Sequence, residues 1–93
     1  MSIEKAQIAV PINGRDAGKR FIVIETENEY SFLVDGKGRR VEKPKRKKNK
    51  HVKVEGKLSG PIAEKLIVGE RVTNSEIRRV LSTPAESGAK GGM

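Results

Sequence analysis

The sequence predicts a mainly β fold, a small five-stranded barrel followed by two short C-terminal helices. Three observations lead there. Apolar residues recur at strand spacing in short stretches up to Glu55. The spacing turns helical after Gly60. The whole chain has 93 residues, enough for one domain with a modest core. Residues 1–58 are expected to form the barrel with a basic loop, and 59–83 a helical extension packed on it. Residues 84–93, rich in Gly, Ser and Ala, read as a disordered tail.

The first strand is read over residues 6–12, where Ile8, Val10 and Ile12 alternate. Pro11 cannot donate to a ladder, so this strand lies at an edge or ends there. A turn-rich loop covers 13–19. Residues 20–25, Arg-Phe-Ile-Val-Ile-Glu, suit a strand buried on both faces. Polar residues 26–29 turn the chain into a third strand, where Tyr30, Phe32 and Val34 alternate with Ser31 and Leu33. Asp35-Gly36 is a turn dipeptide. Residues 38–42 are expected to form a fourth strand around Val41, stopped by Pro44. Residues 45–50, Lys-Arg-Lys-Lys-Asn-Lys, bury nothing and read as an exposed loop, mobile until it meets a partner. His51 to Glu55 resumes alternation as a fifth strand with Val52 and Val54 inward.

Gly60-Pro61 starts the first helix, because proline is favoured at the first helical position. Ile62, Leu66 and Ile67 share its apolar face, and Gly69 stops it. Thr73-Asn-Ser-Glu76 matches a capping box for the second helix. Ile77, Val80 and Leu81 follow at helical spacing, and Pro84 ends the helix.

Composition removes several function classes. There is no cysteine, so a disulfide framework, a cysteine zinc site and thiol chemistry are all excluded. A single histidine, His51, does not make a metal cluster, and no metal or other cofactor is expected. No apolar run approaches the roughly 18 residues that span a bilayer, so no membrane partner is expected. Met1 to Lys5 carries no apolar signal core, and a secreted product is not expected.

The net charge is +8, and its placement matters more than its size. Residues 37–53 hold ten basic side chains and one acid, Glu42. The other 76 residues hold ten basic and eleven acidic groups. A near-neutral body with one dense basic segment has the electrostatic footprint of a polyanion binder. The bland alternative is a solvated loop, but such a block repels itself and costs stability when unpaired.

Gly14-Arg-Asp-Ala-Gly18-Lys19 does not make a nucleotide-hydrolysing phosphate loop. It has three residues between the glycines rather than four, Arg20 in place of Ser or Thr, and a strand rather than a helix behind it. An alternating strand, Gly-x-x-x-Gly-Lys and a second apolar strand instead resemble the KOW motif, over Gln7 to Ile24, with Gly18 at the characteristic glycine. Leu33-Val-Asp-Gly36, the basic stretch Arg39 to Lys50 and His51 resemble archaeal and eukaryotic large-subunit ribosomal proteins built on a KOW barrel. Ile62-Ala-Glu-Lys-Leu66 and Ile77-Arg-Arg-Val-Leu81 are similar to small bacterial KOW-type RNA-binding proteins. The resemblance covers about residues 7–81 and implies an SH3-like barrel that binds ribosomal RNA. The chain departs from the family in lacking the Gly-x-Val start and in placing Pro11 in the first strand.

The expected function is therefore non-enzymatic binding of structured RNA, with large-subunit rRNA the partner the resemblance implies. Cytoplasmic location and a free monomer go with it. The candidate contacts are Arg15, Lys19 and Arg20 beside the first loop, and Arg39, Arg40 and Lys43 flanking the fourth strand. Lys45, Arg46, Lys47, Lys48, Lys50 and His51 complete the set. Gly14, Gly18 and Gly36 are the structural turns. His51 reads as a structural or phosphate-contacting residue, since no nucleophile or orienting acid accompanies it in sequence. Pro44-Lys-Arg-Lys-Lys also matches a nuclear-localisation string, which basic RNA-binding arms produce by chance. Three aromatics, Phe21, Tyr30 and Phe32, read as core, which favours folded RNA read by shape over stacked single strands. The rival class is a protein-interaction module that docks ribosomal or polymerase proteins through the barrel or the helices.

Overall fold

A computed structural model describes residues 3–82. It has five antiparallel strands followed by two helices: β1 Gln7–Pro11, β2 Phe21–Glu27, β3 Tyr30–Val34, β4 Lys45–Lys48, β5 Val52–Lys57, α1 Pro61–Val68 and α2 Asn74–Ser82. The sheet order is β4-β3-β2-β1-β5. The expected mainly β, five-stranded, barrel-like fold with two C-terminal helices is what the chain forms. Pro84 and the expected tail over 84–93 lie outside the described residues. No helix among the described residues is long and apolar enough to cross a membrane.

The sheet buries both faces. Ile8, Ile22 and Val34 pack with Leu58, Leu66, Val72 and Ile77 under the helices. Ala9, Phe21, Val23 and Leu33 form a second cluster on the other face, with Ile3 and Val52 against it. Alternate residues of β2 enter different clusters, which is why its apolar run is continuous. Pro11 sits inside the sheet, since β1 pairs with β2 and β5. It is tolerated because Ile12 N–H, not residue 11, bonds the segment leading into β5, at His51 O 2.9 Å away. The Pro11 carbonyl turns the other way and accepts Gly18 N–H at 3.0 Å. In an antiparallel ladder, residue 11 thus falls where no N–H toward β5 is needed. The strand ends there, as one of the two sequence alternatives has it.

Several expectations are corrected. Residues 38–42 are not a strand; they belong to a long loop between β3 and β4. The fourth strand is the segment expected to be a mobile loop, Lys45–Lys48, followed by a single 3-10 turn at Asn49–His51. Pro44 therefore precedes the strand rather than ending it. Ile12 lies past the end of β1 and is 59% exposed. Val54 is 38% exposed, because β5 is an edge strand with no neighbour beyond it. Ile67 is exposed on α1, whose buried residues are Ala63 and Leu66.

Both helices begin and end as their residues dictate. Pro61 occupies the first turn of α1, and Gly69 closes it in the left-handed region at φ 86°. In α2, Glu76 N–H donates to Thr73 Oγ1 at 3.2 Å, and Thr73 N–H donates to Glu76 Oε1 at 2.9 Å. That reciprocal pair is the expected capping box. Lys65 of α1 reaches the same carboxylate at 2.9 Å and ties the helices together.

The N-terminus of α2 also fastens the β3–β4 loop. Asn74 Oδ1 accepts Val41 N–H at 2.8 Å, its Nδ2 donates to Glu42 Oε1 at 2.9 Å, and Arg78 Nη1 donates to Gly36 O at 2.7 Å. Gly36 has φ 80°, and a Cβ there would stand 2.6 Å from Asn74 O and 2.8 Å from Arg78 Cγ. Gly18 has φ 84°, with nothing within 4 Å of a Cβ. The two glycines therefore separate strain from collision. Gly18→Ala should cost about 1–2 kcal/mol for the left-handed backbone alone. Gly36→Ala should cost about 3 kcal/mol or more, since α2 must also retreat. Urea unfolding of both variants checks this, and equal losses would contradict the contact.

Candidate nucleic-acid interface

β4 is four consecutive cations made into a strand. Its register sets Tyr30 opposite Lys48, Ser31 opposite Lys47, Phe32 opposite Arg46 and Leu33 opposite Lys45. Alternation sends Lys45 and Lys47 to the face that holds Leu33 and Ser31, and Arg46 and Lys48 to the other. No side chain of β4 is fully buried, so the strand is held chiefly by backbone bonds to β3 and by its ends. At the far end, Asn49 N–H donates to Glu29 O at 2.7 Å, and Ser31 Oγ donates to Asn49 Oδ1. At the near end, Asp35 Oδ1 accepts the N–H groups of Lys37 and Arg39, both at 2.9 Å. An edge position leaves the cations in water, where a basic edge also resists unwanted strand pairing.

The structure brings one group of candidate residues together. Lys47 Nζ donates to Asn13 O at 3.3 Å. The Asn13 amide donates to His51 Nδ1 at 3.1 Å, which leaves the neutral ring's proton on Nε2. Arg39 clasps Asp16 Oδ2 through Nη2 at 2.8 Å and Nε at 3.2 Å. Lys19 lies 3.9 Å from the other carboxylate oxygen. The β1–β2 loop, with Arg15 exposed on it, is thus pinned against β4 and the β3–β4 loop. Lys19, Arg39, Lys45, Lys47 and His51 gather at this loop, with Arg15 exposed on it, and make up a rim. Gly14 and Gly18 shape the loop with φ 88° and 84°.

The remaining candidates are placed elsewhere. Arg20 turns to Glu55 of β5 at 3.6 Å, and Arg40 to Glu42 at 3.8 Å. Lys43 is exposed on the loop before β4. Arg46 lies over the Tyr30 ring, 4.2 Å from its centroid, a diagonal cross-strand contact. Lys48 and Lys50 line a groove beside β5, together with Lys53. Lys53, which was not among the expected contacts, stands at this groove and not on the rim. Asp16 and Asn74, which position the basic loops, were also missed. The signal for Asp16 was a lone acid between Arg15 and Lys19. Nothing in sequence marked Asn74 as more than a helix-cap residue.

Asp16 is the carboxylate on which the rim turns; its side chain is 13% exposed. Burial opposes its charge, but the Arg39 hydrogen bond and the Arg39, Lys19 and Lys45 charges outweigh it. They hold the carboxyl below its ordinary value. Chemically, such a rim binds anions by charge-assisted hydrogen bonds, with arginine as a fork and lysine as a point charge. Among the described residues no group of three or more His, Asp or Glu could hold a metal ion. No protein-family model matches the chain, and no curated protein matches it.

A depressed carboxyl contributes stability above its unfolded pKa and loses it as the pH falls through the folded one. Asp16→Asn should therefore cost about 1–2 kcal/mol at neutral pH. The gap from wild type should persist down to about pH 4 and close below it. Urea titrations across that range check it; a gap independent of pH would contradict the ion pair.

Proposed function

We propose that the protein is a non-enzymatic, cytoplasmic RNA-binding protein that binds structured RNA, large-subunit ribosomal RNA in particular, through the rim. The observation that carries this is the convergence of Lys45, Lys47 and His51 on the β1–β2 loop beside the Arg39–Asp16 clasp, from three separate chain segments. A solvated basic loop would not be tied down at both ends. Of the three aromatics expected in the core only Phe21 is buried; Tyr30 and Phe32 are half-buried and join neither cluster. Shape readout is still favoured over base stacking, because Tyr30 is covered by Arg46 and Phe32 lies on the face of β3 away from Lys45 and Lys47. The Asn13 amide N–H donates to His51 Nδ1, so this partner occupies a ring acceptor and offers no acceptor to the proton a general base would gain. That supports a binding rather than a catalytic role. The ribosome and the cytoplasm enter through the resemblance to KOW-type ribosomal proteins.

The test is the salt dependence of RNA affinity. Each duplex phosphate contact contributes about 0.9 to the log–log slope. Replacing Lys45 and Lys47 by glutamine should lower the slope by about 1.8 and weaken different hairpin sequences alike. Thermal melting without RNA should show both proteins folded. An unchanged slope in a folded double variant would refute the rim as the RNA-binding surface.

A further inference from the structure

The barrel has a seam whose chemistry differs from the rim. β5 bonds only to β1, so its other edge is open. Because Ile12 N–H bonds His51 O, alternation turns the Lys53 backbone toward β1 and the Val54 backbone outward. The Val52 carbonyl faces outward too, while its N–H caps the 3-10 turn at Asn49 O. Beside this edge runs a groove of ≈ 730 Å³. Its apolar lining is Ile3, Ile12, Val52 and Val54, of which Ile12 is 59% and Val54 38% exposed. Lys48, Lys50 and Lys53 stand around it, with Glu29 as the acid that shares it. No ion pair found among the described residues uses any of these three lysines.

We propose that the seam binds an extended segment of a partner protein, in which Glu or Asp alternates with aliphatic residues, added as a sixth strand along β5. Each part of the site answers one part of such a segment. The open edge supplies main-chain hydrogen bonds, and the strand period sends alternate side chains to one side. Val52 and Val54, on one face of β5, receive the aliphatic ones; Lys53 on the other face, with Lys48 and Lys50 beside the groove, receives the carboxylates, and Ile12 adds aliphatic lining at its end. A nucleic acid fits the groove less well, since a phosphate backbone would leave the aliphatic lining of Ile3, Ile12, Val52 and Val54 without a partner. A second copy of the chain would bring the same three lysines face to face. The site does not depend on the RNA reading, and neither Ile12 nor Lys53 belongs to the rim.

The experiment uses the full chain and a fluorescein-labelled peptide, Glu-Val-Glu-Ile-Glu-Val-Glu, followed by anisotropy and by amide shift mapping. The acidic peptide should bind and shift Ile12 and the residues of β5. A Lys-for-Glu version and heptauridylate should not bind there. Ile12→Asp and Lys53→Glu, both on exposed positions, should each weaken the peptide about tenfold while melting as wild type does. Both should leave hairpin RNA affinity and its salt slope within about twofold of wild type. Absence of peptide binding up to about 1 mM would overturn the proposal. So would equal affinity in the two folded variants, or heptauridylate displacing the peptide from the seam.

Discussion

The pairing of β4 with β3 is the constraint on which the site depends. Lys45, Arg46, Lys47 and Lys48 repel one another and have no apolar side chain to bury. Their strand persists because its backbone bonds β3 and its two ends are fastened. Asn49 is held by Glu29 O and Ser31, and Asp35 and Asn74 fix the loop that leads in. Once the strand exists, its alternation sorts the charges. Lys45 and Lys47 go to the rim, Arg46 to the Tyr30 ring and Lys48 to the seam. A flexible loop with the same charges would spread them and lose more entropy on binding.

The helices serve this arrangement directly. They cover one sheet face with Leu66, Val72 and Ile77. The first turn of α2 then reaches past the core to the β3–β4 loop through Asn74 and Arg78. Asp16 does the matching task on the other side, where it draws Arg39 onto the β1–β2 loop. An acid within a basic surface lowers its net charge, yet it fixes where the neighbouring cations stand. The seam is the complementary consequence of topology: a five-stranded sheet that stops at β5 leaves one edge and an aliphatic groove without a neighbour.

Most of the fold was legible because its signals are local. Strands β1, β2 and β3, the capping box and the glycines at positive φ follow from alternation, side-chain chemistry and backbone freedom. β4 was not legible, because its strand character comes from backbone pairing with β3 rather than from apolar residues. Residues 38–42 misled for the converse reason. Val41 is apolar and half-buried, but it packs under α2 from a loop. Val54 and Ile12 fit the inward pattern and are exposed, because alternation says which face a residue takes and not whether anything covers it. The register shift opposite Ile8 and Ala9, where Glu55 is the extra residue of β5, adds a further break that no spacing announces. For the candidate site, the cations were readable as a cluster of charge. Their division among rim, seam and ion pairs was not, since it needs Asp16, Glu42 and Glu55 in three dimensions.

The central claim is that the rim, rather than the seam or the helices, meets structured RNA. Amide shift mapping of the full chain with a short RNA hairpin tests it most directly. The account predicts the largest shifts at Gly14 to Lys19, Arg39, Lys45 to Lys47 and His51, with α1 and the outer edge of β5 unmoved. Shifts confined to the helices or to the Val52–Glu55 edge, with the rim silent, would contradict it.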